Sequence, residues 1–226
     1  MIMCVKHAQG FRGFDSQYLN TTIPVLTRLG ELQCSKLSQE LRHLHAHVSL
    51  VVASTHAQAI ETALLAFRPT LSNGLCEKFV LALPIFQGPS GRSSGSEVAA
   101  LREVCRIRAW QVDLSLMEWH EADKGSATLD HRTRSCSRTC EQATRIFLRE
   151  RLADAVRCGD PESVVVIVGH SEFLDSLIRD QQGDTNLHRP VWADSEYRTF
   201  TFERGVLSGD PVARMIETDM SRSSKI

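Results

Sequence analysis

No C-x-x-C pair occurs among the seven cysteines of this 226-residue chain, which stand at positions 4, 34, 76, 105, 136, 140 and 158. An odd set with that spacing gives no zinc ribbon and no disulfide framework, and it reads as the reduced thiols of an intracellular protein. The closest pair, in "CSRTC", is spaced as one face of a helix. Charge of one sign is also missing. The formal net charge is -1 with 23% charged residues, so no electrostatic preference for nucleic acid follows. No apolar run approaches the roughly 18 residues that cross a bilayer, and the N-terminus lacks the basic, apolar and small-residue succession of a secretory signal. A cytoplasmic protein with neither nucleic-acid nor membrane partners is expected.

What is present is the profile of an ordinary globular chain, with 42% hydrophobic residues, long enough for one sizeable core. Ile2 to Val5 reads as a strand and Leu29 to Leu44 as a helix with apolar residues three and four apart. "SLVVAS" is a buried strand followed at once by the helix "AQAIETALLAF". "FVLALPIF" is strand-like up to Pro84, a Gly- and Ser-rich loop runs from Gly88 to Gly95, and Ser96 is placed to cap the helix "EVAALREVCRI". An irregular stretch from Trp110 to Thr133 precedes a long helix over Cys136 to Arg157. "SVVVIVGH" carries the strongest strand signal, "SEFLDSLIRDQQ" is a helix, and "EYRTFTFE" alternates as a half-buried strand at a sheet edge. Alternating strands and helices predict a mostly parallel central sheet with helices on both faces.

In such a sheet, ligands bind beyond the carboxyl ends of the strands. Three strands end near a histidine, in "CVKHAQG", "VVASTHAQ" and "VVIVGHSE". His7 and His170 share the same local pattern, each near a glycine, and are the candidate functional residues. His56 stands at a helix start, where a polar side chain is common, and is left undecided. Three histidines suit zinc in principle, but no carboxylate stands at a spacing that would orient them, so no metal and no cofactor are expected.

Taken together, these segments resemble the histidine phosphatase superfamily, most closely its fungal phosphoglycerate mutase-like branch. "VKHAQGFRG" is similar to the Arg-His-Gly or Arg-His-Ala motif, "LTRLGELQCSKL" to Leu-Thr-x-x-Gly-x-x-Gln, and "VVASTHAQAIETALLAF" to Ser-Pro-Leu-x-Arg-Ala-x-x-Thr-Ala. "ALPIFQG" resembles Leu-Pro-x-Leu-Gln-Glu, "VVVIVGHSEFLDSL" resembles Val-Thr-His-Gly-Gly-Phe-Leu, and "VWADSEYRTFTF" resembles Gly-Trp-Ala-Asn-x-Glu-Tyr-Arg-x-Tyr-x-Phe. These blocks run in order from Met3 to Phe202. The resemblance implies a three-layer α/β/α sandwich in residues 1–215 with a small cap insertion around 88–133, and the composition of "TDMSRSSKI" predicts a flexible tail over 216–226.

It also implies chemistry: His7 as a nucleophile that forms a phosphohistidine, and His170 as the partner of the phosphoryl oxygens. The motif's first arginine falls on Lys6, its second on Gln58, and its proton-donating glutamate on Gly88. Lysine keeps the charge without the planar fork, and glutamine carries none. Lys6, Arg12, Gln58, Gln87 and Glu172 are the expected substrate-binding residues, with Arg92 and Glu97 as further replacements for the missing groups. Trp110 and Trp119 belong to the expected cap or to plain core packing, and Trp192, Glu196, Tyr197 and Arg198 to a brace beside the site.

Three functions follow from this reading. The first is hydrolysis of a small organic phosphate or diphosphate. The second is a repurposed lyase, isomerase, cyclase or dehydratase of fungal specialised metabolism, with His7 and His170 as general acid and base near a pKa of about 6.5. The third is binding without turnover. The expected partner is a small-molecule substrate, and assembly as a homodimer stays open.

Overall fold

A computed structural model describes residues 1–11, 26–72, 80–83, 95–115, 150–151, 162–178, 191–202 and 215–218. Its strands are β1 (Ile2–Lys6), β2 (Val48–Ser54), β3 (Val80–Leu83), β4 (Val112–Asp113), β5 (Val164–Gly169), β6 (Tyr197–Phe202) and β7 (Met215–Glu217). The helices are α1 (Arg28–Glu40), α2 (Ala57–Ala66), α3 (Arg68–Ser72), α4 (Gly95–Ile107) and α5 (Ser171–Ile178). The strands form one sheet in the order β4-β3-β2-β5-β1-β6-β7. Pairing is parallel from β4 through to β1, and antiparallel between β1 and β6 and between β6 and β7.

Alternation along each central strand sends successive side chains to opposite faces. Met3, Val5, Val51, Ala53, Val166 and Val168 join residues of α1 to α4 in one apolar cluster. Ile2, Cys4, Leu50, Val52, Val165 and Ile167 join Phe173 and Leu174 of α5, with Trp192, in a second. Helices therefore cover both faces, and the three-layer α/β/α architecture expected from the sequence is the observed one. Strands buried on both sides read as continuous apolar runs, and β5 is buried at every position.

Several expectations are corrected. The helix expected to Leu44 ends at Glu40, and the chain continues in three-residue turns, with Leu44 N donating to Leu41 O and His47 N to Leu44 O. Leu41 and Leu44 still reach the core through those turns, which prolonged the apolar spacing beyond the helix. Ser96, expected as a cap, lies inside α4, which begins one residue earlier. Within the segment expected as a cap, Val112 and Asp113 pair with Val80 and Leu81 of the central sheet. Trp110 packs against the main core with the Arg108 guanidinium 5.5 Å from its ring centre. The strand expected at an edge, β6, is interior because β7 pairs outside it, and Tyr197 to Phe200 are buried. Of the tail expected over 216–226, Ile216 and Glu217 belong to β7, and residues 219–226 lie outside the described residues.

The helix expected over Cys136–Arg157 falls outside the described residues except for Glu150 and Arg151, which are helical. Trp119 also lies outside them. Among the described residues, no helix is long and apolar enough to cross a membrane.

Candidate active site

The chain leaves β1 at Lys6 and is at once tied down by backbone and side-chain bonds. His7 N donates to Gly169 O at 3.0 Å, Ala8 N to Thr62 Oγ1 at 3.0 Å, and Gln9 N to Gln33 Oε1 at 2.8 Å. Thr27 caps α1 by accepting from Gly30 N at 3.1 Å, and its own N–H donates to Gln9 O at 3.0 Å. Gly30 lies so close to this turn that a Cβ there would run into the Gln9 carbonyl oxygen. The "LTRLGELQ" segment thus holds the loop after β1, and Thr62 of "ETALLAF" holds it from the other side.

That loop fixes the His7 ring. Its Nδ1 lies 2.8 Å from the Ala8 carbonyl oxygen, an atom that only accepts, so the proton sits on Nδ1 and Nε2 keeps its lone pair. His170, at the end of β5, lies with its ring centre 4.5 Å from that of His7 at an angle of 65°. His56, at the start of α2, lies with its ring centre 4.4 Å from that of His170 at 79°. The three strand-end histidines therefore converge. The Nε2 of His170 is buried and has no hydrogen-bond partner among the described residues. Burial above all lowers the pKa of His7, opposed by the bond to Ala8, with Lys6 and His56 adding to the lowering and Asp194 raising it. Burial, then the neighbouring His7, His56 and Lys6, push His170 down to about 3. Both rings are held neutral. Among the described residues, no group of three or more His, Cys, Asp or Glu side chains is arranged to hold a metal ion.

Lys6 turns its ammonium toward the chain before β6. It donates to Asp194 Oδ1 at 2.8 Å and to Trp192 O at 3.1 Å. The turn that presents Asp194 is braced throughout: Glu196 Oε2 accepts from Ala193 N at 2.7 Å, and Glu196 Oε1 accepts from Arg198 Nε at 2.7 Å. The Arg198 guanidinium lies 4.0 Å from the Trp192 ring centre, and Trp192 Nε1 donates to Asp175 at 2.8 Å. Trp192, Glu196, Tyr197 and Arg198 are all buried there, as a brace requires.

No protein-family model and no curated protein sequence matches this chain. Solved structures do match over nearly its whole length. The ecdysone phosphate phosphatase of Bombix mori, in complex with tungstate, aligns over 99% of this chain and 95% of its own, with a TM-score of 0.56 and 13% identity. A mycobacterial glucosyl-3-phosphoglycerate phosphatase with bound vanadate aligns over 99% and 98%, at 0.53 and 14%. A mutant phosphoserine phosphatase from Entamoeba histolytica, in complex with phosphoserine, aligns over 99% and 97%, at 0.51 and 12%. The chain has the fold of these phosphatases.

On that fold, the expected site residues divide into three groups. His7 and His170 come together as expected, and Lys6 stands beside them. Gln58 is on α2, but its Nε2 donates to the Phe11 carbonyl at 3.0 Å, so the amide holds the chain past Gly10. A Cβ at Gly10 would collide with that side chain. Glu172 is exposed in the first turn of α5, where the helix dipole favours a carboxylate. Arg12, Gln87, Gly88 and Arg92 lie outside the described residues, and Glu97 falls in the first turn of α4. A cavity of about 820 Å³, lined by Leu32, Leu65 and Arg68 among others, lies between α1, α2 and α3 and includes none of the three histidines.

Two residues of the site escaped the reading of the sequence. His56 shares the strand-end position of the other two, but its place at a helix start gives a polar side chain an ordinary reason to be there. Asp194 stands where the resembled motif has asparagine, and that departure was the one available sign of its pairing with Lys6.

Proposed function

We propose that this protein is a phosphohydrolase that transfers the phosphoryl group of a small organic phosphate to His7 and then to water. One observation carries the reading. His7 spends its Nδ1 proton on the Ala8 carbonyl and keeps an unprotonated Nε2 beside a neutral His170 whose Nε2 is buried and unpartnered among the described residues. In the first step the His7 Nε2 lone pair forms a bond to phosphorus while the bond to the leaving oxygen breaks, and that oxygen takes a proton from water or an acid. Water then attacks the phosphohistidine, returning Nε2 its lone pair and releasing phosphate. In its Nε2–H tautomer His170 donates to a phosphoryl oxygen, which gives its buried atom the partner it lacks.

That structural neighbours are phosphatases supports this reading, as does the convergence of the strand ends. A general-base role for His170, as the repurposed-enzyme alternative requires, is disfavoured. A ring whose pKa lies about 3 has little proton affinity at neutral pH.

The test is phosphate release by the purified protein from a panel of phosphomonoesters and diphosphates, with His7→Ala as control. Release that disappears in the variant, with the far-ultraviolet dichroism spectrum retained, is the expected result. Release that persists in His7→Ala sinks the assignment. The His170→Ala variant is expected to retain residual turnover, lowered by about 10² to 10³, the usual effect of losing one preorganised donor.

A further inference from the structure

We propose that Asp194 sets the charge preference of this site: by pairing with Lys6 it makes the site take singly charged phosphoryl groups in preference to doubly charged ones. The inference rests on the phosphohydrolase reading above and adds the ionic form of the substrate to it.

Among the described residues, Lys6 is the full cation that bears on His7, and its charge is matched at 2.8 Å by the Asp194 carboxylate. Two of its three ammonium protons are already committed, to Asp194 and to the Trp192 carbonyl, leaving one for a ligand. The carboxylate cannot easily swing away. Its backbone turn is tied by Glu196 N donating to Ala193 O at 3.1 Å and by Ser195 N donating to His7 O at 3.4 Å, and Ser195 sits at a left-handed φ of 59°. The Lys6 and Asp194 side chains keep 17% and 31% of their surface exposed, so a ligand at His7 meets both charges.

Among the described residues, the remaining groups around the site do not restore a positive field. His7 and His170 face it as neutral rings, and His56 lies against His170. From α5, Glu172 is exposed and Asp175 is bonded to Trp192. Of the described charged side chains, a doubly charged phosphoryl group placed here meets the Lys6 cation and the Asp194 anion as a pair 2.8 Å apart. Its second charge gains from Lys6 about what it loses to Asp194, while its desolvation cost is larger than that of a monoanion.

The test measures binding of inorganic phosphate by isothermal titration calorimetry to the wild-type protein and to Asp194→Asn, which keeps the shape and removes the charge. At about pH 8, where phosphate is mostly the dianion, the variant is expected to bind at least roughly tenfold more tightly, with a steeper loss of affinity on adding salt. At about pH 6 the gap is expected to shrink, because the monoanion has less to gain.

Equal affinities for the two proteins at the higher pH, with His7-dependent turnover intact, overturn this proposal and leave the phosphohydrolase reading standing. Absence of phosphate binding by either protein at both pH values overturns this proposal, and absence of His7-dependent turnover beside it overturns both. Absence of turnover with tighter dianion binding by Asp194→Asn overturns the hydrolytic reading and retains the charge assignment. Lys6→Met serves as a second variant: it is expected to remove the effect of Asp194→Asn when the two are combined, and an undiminished effect in the double variant overturns the proposal.

Discussion

His7 keeps its Nε2 lone pair over a wider pH range than a free imidazole, because burial opposes the charged ring and the Nδ1 proton is already placed on the Ala8 carbonyl. The acid limb of kcat/KM is therefore expected below the ordinary histidine value of about 6.5. An acid limb at or above that value would contradict the neutral-ring assignment. The same burial has a consequence for stability. In the unfolded chain these rings take up protons as the pH falls through about 6.5, and in the folded protein they resist until lower, His170 until about 3. Between those values the unfolded state binds more protons, so the contribution is fully present above the unfolded pKa and is lost as the pH falls. His170→Gln is expected to flatten this decline of the urea midpoint between neutral and acid pH, and an unchanged slope would rule it out. Glu196 and Arg198 form an ion pair whose side chains are 6% and 5% exposed. Glu196→Ala leaves a buried guanidinium short of its carboxylate and Ala193 N without its acceptor, so a loss of about 3 to 5 kcal/mol in unfolding free energy is expected. A loss under about 1 kcal/mol would show that the brace carries no such weight.

Helix α1 and the loop after β1 are one mechanical unit, joined through Thr27, Gly30 and Gln33. Gly30→Ala puts a methyl group into the Gln9 carbonyl, a backbone atom that cannot move aside without shifting the turn that carries His7. Destabilisation of about 1 to 3 kcal/mol with a fall in kcat is expected. Gly169→Ala provides the contrast, since its nearest neighbours would stand at 3.6 Å, ordinary contact distance, and its stability is expected to match the wild type within about 0.5 kcal/mol. Equal penalties at the two glycines, measured by urea unfolding, would contradict this distinction. Much of this unit was legible in the sequence. The apolar spacing of α1 and the β-branched run of β5 are local signals, written within a few residues. The two residues of β4 and three of β7 are too short to carry a period, and the end of α1 was hidden because turns place Leu44 in the core as a helix would.

The whole sheet is held by pairings that no local signal records. Lys6 and Asp194 are 188 residues apart in sequence, and neither run of neighbours indicates that the other exists. The parallel core followed from the alternation of strands and helices, whereas the antiparallel turn at β6 and the extra strand beyond it did not, because both depend on what pairs outside β1. Backbone amide exchange is expected to be slowest in β5 and β1, which are paired on both sides and buried on both faces, and faster in β7, which ends the described sheet. Slower exchange in β7 than in β5 would contradict the strand order. That order also sets a timetable for the chain as it leaves the ribosome. The first strand pairs with residues 165–169 on one edge and 197–200 on the other, so for most of synthesis it is an apolar ribbon with both edges open. Strand β1 is made long before either partner, and His7 takes its place beside His170 only after β5 and β6 have emerged.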